Sequence, residues 1–236
     1  MLQRFAILAC ALSAFVAPAL ADSAEQPAFV RAPIIMEVFT SEGCTACPRA
    51  NKYVSGYAHR DEVLPITFAV DYWDYLGWKD SHARPEFAER QKTYAARFGL
   101  SGPYTPQIIV MGADETRGST TGRIEAAVQR AGLEHPATTH VTATAAPTGW
   151  RVALSGPQTN ADIWLVAFEP GHRTVTPKAG LNAGHEMVLT NVASSLQRVA
   201  EWTGGAAELD VTCENACAVL VQEKQGGAII GAAKIG

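Results

Sequence analysis

The chain has 236 residues, of which 19 are Lys or Arg and 23 are Asp or Glu, for a formal net charge of −4. This acidic balance, together with the lack of any run of Lys or Arg, argues against a nucleic-acid-binding protein. Hydrophobic residues make up 47% of the chain, so one large or two small domains can bury a core.

The first residues, MLQRFAILACALSAFVAPALA, have the form of a secretory signal peptide. An Arg precedes an apolar stretch that ends in a small-x-small pattern. We expect a signal peptide over residues 1–21, a polar stub over residues 22–32, and export to the periplasm or the exterior. No later segment has enough consecutive apolar residues to span a bilayer. Cys10 would leave with the signal peptide, and the four remaining cysteines would meet an oxidising compartment that permits disulfides.

In the next part of the chain, strand and helix patterns alternate. The runs PIIMEVFT and VLPITFAV are rich in β-branched and large apolar residues, which predicts two buried strands. Apolar residues at helical spacing predict helices after Cys47, over residues 85–98 and over TGRIEAAVQRAGL. Between the last two, GPYTPQIIVMGADETRGST predicts a hairpin. The alternation requires a parallel crossover, so we predict an α/β domain over residues 33–136.

The remainder of the chain has a different residue pattern, with short runs rich in Thr, Val and Ala. Turn signals such as Pro-Gly and Gly-Gly separate these runs. The pattern predicts antiparallel strands and a small β-rich, sandwich-like domain over residues 137–236. The predicted strands are HVTATA, WRVALSG, ADIWLVAFEP, HEMVLTNV, ELDVTC, AVLVQEK and GAIIGAAKI.

Cys44 and Cys47 are separated by two residues and lie between the first predicted strand and the first predicted helix. Thiol–disulfide exchange needs a thiolate that a partner can reach and a second thiol close enough to displace the mixed disulfide. Here the first sulfur would be presented outward and the second would lie one turn inward, while the helix N-terminus stabilises the anion. The pattern favours a redox pair, with an inert disulfide or a metal site as alternatives.

A second motif, Thr105-Pro106, precedes the predicted strand QIIVMG. With CTAC it resembles the thioredoxin superfamily, in which a cis proline opening the third strand shapes the cleft where partner chains bind. FTSEGCTACP together with VDYWDYLGWKD resembles, more narrowly, the secreted thioredoxin-like proteins grouped as domain of unknown function 1223, a family with no settled activity. The resemblance implies a thioredoxin-like first domain in which Cys44 is the attacking nucleophile, Cys47 the resolving thiol and Pro106 the cis proline.

The motif departs from the familiar thioredoxin sequence WCGPC. No Trp precedes Cys44, Thr-Ala replaces Gly-Pro, and Pro48 follows the second cysteine. Proline is tolerated most easily at the first helical position, which predicts Cys47 as the N-cap of the helix. Glu42 would oppose a thiolate at Cys44, so the sequence leaves oxidant or reductant character open.

The aromatic stretch DYWDYLGWKD follows the second predicted strand, whose C-terminal end would face the active edge of a parallel sheet. Asp71 is therefore a candidate proton acceptor or water-positioning residue for Cys47, with the alternative that it only caps a turn. Tyr72, Trp73 and Trp78 would either form the partner-binding wall or pack in the joint between domains. The six histidines show no spacing typical of metal ligands.

Cys213 and Cys217 flank a three-residue loop between two predicted strands, so their sulfurs could face each other across a hairpin. The predicted pairing is therefore local, Cys44 with Cys47 and Cys213 with Cys217. The second pair could be a structural disulfide or a relay that exchanges electrons with the first. A zinc site formed by all four cysteines is a third alternative.

Together these patterns predict an exported thiol–disulfide oxidoreductase that acts on protein or small-molecule thiols and requires no dissociable cofactor. Two other classes stay open. One is a metallochaperone that carries copper(I) between thiolates, and the other is a partner-docking protein on a degenerate redox fold. The direction of electron flow, the partner and the oligomeric state do not follow from the sequence.

Overall fold

The computed structural model describes residues 32–134 and 137–236. The expected signal peptide and nearly all of the polar stub therefore lie outside the described residues. So do His135 and Pro136, where the sequence predicts the change from the first domain to the second.

The first part of the chain alternates strands and helices as predicted. Every residue of the first two strands is buried, as their continuous apolar runs require of strands covered on both faces. A tight turn leads from the first strand into the first helix, and the crossover makes the first two strands parallel. The elements are β1 (Ile34–Thr40), α1 (Cys47–Ser55), β2 (Val63–Ala69), α2 (Pro85–Arg97), β3 (Gln107–Val110), β4 (Asp114–Arg117) and α3 (Thr121–Leu133).

The second part consists of strands only. These are β5 (His140–Ala146), β6 (Gly149–Ser155), β7 (Ala161–Val175), β8 (Met187–Trp202), β9 (Ala207–Val211), β10 (Ala216–Glu223) and β11 (Ile229–Ile235). β7 and β8 are 15 and 16 residues long, much longer than the runs ADIWLVAFEP and HEMVLTNV indicate. The extra residues of β7, residues 171–175, are mostly exposed. Those of β8, residues 193–202, mix polar and apolar side chains without strict alternation, so neither extension has a pattern that indicates a strand.

The two parts share one eight-stranded mixed sheet with the order β11-β10-β7-β8-β2-β1-β3-β4. The join is the parallel contact of β2 with β8, where Thr67 pairs with Val192. β5, β6 and β9 form a separate three-stranded sheet. Its Val152 and Leu154 pack in one apolar cluster with Leu165 and Val219 of the large sheet. The β-rich part therefore continues the sheet of the α/β part, and its three-stranded sheet packs as a second layer on β7 and β10.

The paired ends of β7 and β8 project beyond the sheet as an arm, defined here as residues 170–190. Its strands pair from His172 with Thr190 to Val175 with Met187. The arm lies against α1 and the segment after it, and the ring of His172 contacts the ring of His59 at 5.8 Å. Thr67 of β2 fixes its base by donating a hydrogen bond to the backbone oxygen of Thr190 at 2.6 Å.

A buried charged network lies in the core of the large sheet. Glu37 of β1 accepts hydrogen bonds from Arg90 of α2, at 2.5 Å and 3.2 Å, and from the hydroxyl of Tyr94. Gln222 of β10 donates to the same hydroxyl at 2.9 Å. Burial lowers the pKa of Arg90, but the Glu37 carboxylate outweighs it and holds that pKa above its usual value. The network thus ties β1 and α2 to a strand of the β-rich part.

Candidate functional site

Cys44 and Cys47 form a disulfide directly after β1, with their Cα atoms 5.4 Å apart. The backbone N–H of Cys44 donates to the Ser41 oxygen and that of Cys47 to the Cys44 oxygen, both at 3.1 Å. α1 begins at Cys47 with Ala46 as N-cap and Pro48 in the first turn. The helix therefore starts one residue earlier than predicted. The N-cap position is occupied by Ala46 because Cys47 already takes helical geometry.

The Thr105–Pro106 peptide bond is cis, and this segment lies beside α1. A Cβ atom placed on Gly118 would lie 2.8 Å from the Cβ of Pro106 and 2.9 Å from the Cβ of Ala50, which is one turn after Cys47. Only a glycine fits between the proline and the helix at this distance. The fold therefore brings the two sequence motifs, CTAC and TP, to the same place.

Trp73 connects these two motifs. Its side chain packs against the Cys44–Cys47 disulfide, and its indole N–H donates to the hydroxyl of Thr105 at 2.8 Å. Trp78 belongs to the same loop and donates its indole N–H to a carboxylate oxygen of Glu42 at 2.5 Å. Both tryptophans of the aromatic stretch therefore line the surroundings of the disulfide. Tyr72 turns to the core and donates to Gln91 of α2 at 3.1 Å.

The tip of the arm covers the disulfide from another side. The side-chain amide of Asn182 donates to the backbone oxygens of Glu42 and Cys44 at 2.8 Å and 2.9 Å. Met187 forms one buried cluster with Cys44 and Cys47, and Val175 packs against this cluster. As a result Cys44 is only 2% exposed and Cys47 is 0% exposed. No sequence signal indicated this cover, since Asn182 is 138 residues from Cys44.

Two buried carboxyl groups lie at the disulfide loop, defined here as residues 41–46 between β1 and α1: Glu42 belongs to the loop and Asp80 contacts it. Asp80 accepts a hydrogen bond from the backbone N–H of Glu42 at 2.7 Å and another from the N–H of His82 at 2.9 Å. Glu42 accepts from Trp78 and from the hydroxyl of Ser81 at 3.1 Å. Each of the two carboxyl residues is 3% exposed. The sequence pointed to Glu42 as a neighbour of Cys44 but gave no sign that Asp80 joins it.

Burial raises the pKa of Asp80 to about 6, and the nearby Glu42 and Asp74 carboxylates add to this, although hydrogen bonds from the backbone N–H groups oppose it. Compared with the unfolded chain, the folded protein therefore favours the protonated form of Asp80. The stability that protonated Asp80 contributes is fully present below the pKa of the unfolded chain, near 4, and is lost as pH rises through about 6.

We expect Asp80→Asn to stabilise the protein at high pH only. The change removes a carboxylate whose ionisation costs about 3 kcal/mol of folding free energy above pH 7. At pH 4 the asparagine and the protonated acid should be nearly equivalent. The measurement is the free energy of urea unfolding at pH 4 and pH 8, with the exposed Asp61→Asn as control. A difference between Asp80→Asn and wild type that does not change with pH would contradict the assignment.

Asp71, the predicted proton acceptor, is half-buried in the turn after β2. Its backbone oxygen accepts from the N–H of Asp74 at 2.9 Å. Among the described residues, no hydrogen bond joins its carboxylate to Cys44 or Cys47, and its role stays a prediction. Within residues 32–134 and 137–236, no group of three or more His, Cys, Asp and Glu side chains is arranged to hold a metal ion.

The second predicted pairing is also present, since Cys213 and Cys217 form a disulfide with Cα atoms 6.1 Å apart. Cys217 lies on β10 and pairs with Ala167 of β7. β10 is four strand positions from β1, which corresponds to about 19 Å across the sheet. A direct relay between the two cysteine pairs of one chain would therefore need a movement over that distance.

None of the described helices is both long and apolar enough to cross a membrane. Residues 35–230 match the protein family described as "Protein of unknown function (DUF1223)". No curated protein matches the chain.

Two solved structures have a similar fold. The crystal structure of protein AGR_C_4864 from Agrobacterium tumefaciens is 28% identical in sequence, with a TM-score of 0.73 over 86% of this chain and 93% of that one. HBP35 of Porphyromonas gingivalis is 13% identical, with a TM-score of 0.57 over 87% of this chain and 75% of that one. At 13% identity the likeness concerns the fold alone.

Proposed function

The chain belongs to the DUF1223 family of proteins of unknown function, and we propose that it is an exported thiol–disulfide oxidoreductase that uses Cys44 and Cys47. The observation that carries the proposal is the closed Cys44–Cys47 disulfide at the start of α1, next to the Thr105–Pro106 segment. The order of β1, α1, β2, α2, β3, β4 and α3 supports a thioredoxin-like arrangement for this part of the chain.

The proposed exchange uses the two cysteines in fixed roles. A partner thiolate attacks the sulfur of Cys44, the Cys44–Cys47 bond breaks, and Cys47 leaves as a thiolate that takes up a proton. A second partner thiolate then displaces Cys44, so the partner gains a disulfide and the protein a dithiol. In the reverse direction the Cys44 thiolate attacks a partner disulfide, and Cys47 resolves the mixed disulfide. The site thus serves electron flow in either direction.

Access to Cys44 is the structural requirement of this mechanism. Because the tip of the arm buries both sulfurs, exchange requires Asn182 to release the backbone oxygens of Glu42 and Cys44. Exposed apolar side chains near the disulfide loop favour a protein as the partner. Tyr75 of the aromatic stretch is 80% exposed and Leu181 of the arm tip is 57% exposed, and both lie in segments that contact the disulfide loop.

The burial of both sulfurs also favours one competing function, an inert disulfide. A disulfide that closes a ring of four residues destabilises the unfolded chain by only about 2 kcal/mol, so an inert disulfide at this position would add little stability. The two functions differ in whether the pair can be reduced under physiological conditions, since structural disulfides typically resist reduction by glutathione.

The test is an equilibration of the folded protein with glutathione redox buffers, followed by thiol trapping and mass spectrometry of peptides. We expect Cys44 and Cys47 to titrate together and reversibly. A Cys47→Ser variant should accumulate a mixed disulfide at Cys44, whereas Cys44→Ser should form none at Cys47. If the pair stays oxidised in every buffer, the protein is not an oxidoreductase of this kind.

A further inference from the structure

Glu42 and Asp80 form a pair of buried carboxyl groups that the proposed exchange does not use. Their hydrogen-bond donors are all neutral: an indole, a hydroxyl and two backbone N–H groups. Among the described residues, neither takes part in a salt bridge at 4.0 Å or less. Buried carboxylates are ordinarily paired with a cation, so this pair holds negative charge that its surroundings do not neutralise.

The charged groups around the pair do not change this conclusion. Asp80 faces Glu42 from the disulfide loop and Asp74 from the aromatic stretch, both of them acidic. His82 contacts Asp80 through its backbone N–H, and burial together with Arg173 of β7 lowers the pKa of its imidazole. His82 is therefore neutral near pH 7. Glu169 and Arg84 also face His82, with opposite effects on it.

The pair is tied directly to the backbone that presents Cys44. The Asp80 carboxylate accepts a hydrogen bond from the backbone N–H of Glu42, which lies two residues before Cys44. The side-chain amide of Asn182 donates to the backbone oxygens of both Glu42 and Cys44. A thiolate at Cys44 would form in a buried site beside two like charges, which disfavours it. The start of α1 opposes this effect, but a helix terminus carries only about half a unit charge.

We propose that Glu42 and Asp80 are positioning residues that keep reduced Cys44 in its thiol form at neutral pH, which makes the dithiol an electron donor toward partner disulfides. The inference rests on the proposed function. In the step it describes, Cys44 releases its proton to water, its thiolate attacks a partner disulfide, and one partner thiolate leaves. Cys47 then displaces the second partner thiolate, so the partner is reduced and Cys44–Cys47 is oxidised. A dithiol protein would supply electrons for the next turnover.

A stable thiolate at the attacking cysteine stabilises the reduced state of the cysteine pair. A protein whose reduced form is stabilised in this way acts as an oxidant. Two carboxylates beside Cys44 remove that stabilisation. The effect depends on pH, because protonated Asp80 repels no thiolate. The repulsion from Asp80 should be absent near pH 5 and complete above pH 7.

The test compares the alkylation rate of Cys44 by iodoacetamide in reduced wild type, Asp80→Asn, Glu42→Gln and the exposed control Asp61→Asn from pH 5 to pH 8. We expect Asp80→Asn and wild type to react equally at pH 5, and the variant to react about tenfold faster at pH 7. The equilibrium with glutathione at pH 8 should shift about threefold toward the dithiol, which is about 14 mV at 29.6 mV per tenfold. Glu42→Gln should accelerate alkylation at neutral pH, and Asp61→Asn should not.

If Asp80→Asn is alkylated faster than wild type by the same factor at every pH, the change has loosened the loop and the inference is overturned. The inference is also overturned if Asp80→Asn and wild type react equally at every pH. Glu42→Gln tests the same charge effect should Asp80→Asn fail to fold, and wild-type rates in that variant at pH 7 would also overturn it. In each of these cases the proposed function still stands if the Cys44–Cys47 pair of the wild-type protein titrates with glutathione. If glutathione cannot reduce the pair in any variant, the proposed function fails and the inference fails with it.

Discussion

Replacing Asn182 by alanine is expected to speed reduction of the Cys44–Cys47 disulfide by a small thiol between ten- and a hundredfold. The buried amide of Asn182 is the hydrogen-bond donor that holds the arm tip to the disulfide loop, through the backbone oxygens of Glu42 and Cys44. Alanine leaves the Glu42 oxygen without that donor while the arm stays closed, at about 1 to 3 kcal/mol, whereas the Cys44 oxygen still accepts from the N–H of Cys47. Since 1.4 kcal/mol is a factor of ten in an equilibrium, the open arm becomes correspondingly more populated.

The measurement is the pseudo-first-order rate of reduction by dithiothreitol, with thiols trapped at intervals and located by mass spectrometry. The Cys213–Cys217 disulfide, four strands away, serves as an internal control and should be reduced at an unchanged rate. Thr176→Ala, at an exposed position of the same arm, should leave both rates at the wild-type value. Equal acceleration at both disulfides would indicate general destabilisation, and no acceleration at Cys44–Cys47 would show that the arm tip does not limit access.

The sequence predicts the local part of this site well. β1, β2, α2 and α3 begin and end within about one residue of the patterns that indicated them, because their apolar runs, prolines and glycines act over a few residues. The helical pattern after Cys47 continues to Tyr57, but α1 ends at Ser55 and a 3-10 turn follows it. The local pairing of the cysteines is confirmed for the same reason.

The rest of the site depends on long-range packing. Asp80, Asn182 and Met187 reach the disulfide loop from 38 to 143 residues away, and nothing in their immediate sequence distinguishes them from ordinary loop or strand residues. The pairing of β2 with β8 is equally invisible, because apolar runs indicate that strands exist but not which strand lies beside which. The extension of β7 over residues 171–175, which forms one strand of the arm, is mostly exposed and carries no burial signal either.

Arg90→Met is expected to lower the free energy of unfolding by about 3 to 5 kcal/mol, the cost of leaving a buried charge uncompensated. Glu37 is fully buried in β1, and the Arg90 guanidinium is its cationic partner among the described residues. The guanidinium also lies 5.4 Å from the ring centre of Trp164 of β7, so the loss weakens contact between the two parts of the sheet. The measurement is urea unfolding at pH 7 with both disulfides intact.

The paired variant Glu37→Met with Arg90→Met separates charge from packing. Replacing both members of a buried ion pair by apolar side chains of similar volume is often neutral or stabilising, whereas removing one member is not. We therefore expect the double variant to recover at least half of the loss. Lys92→Met on the same helix breaks an exposed pair with Glu89 and should leave the free energy of unfolding nearly unchanged. If Arg90→Met costs no more than Lys92→Met, the Glu37 carboxylate is held by the hydroxyl of Tyr94 alone, and the link from β1 to β10 does not depend on the ion pair.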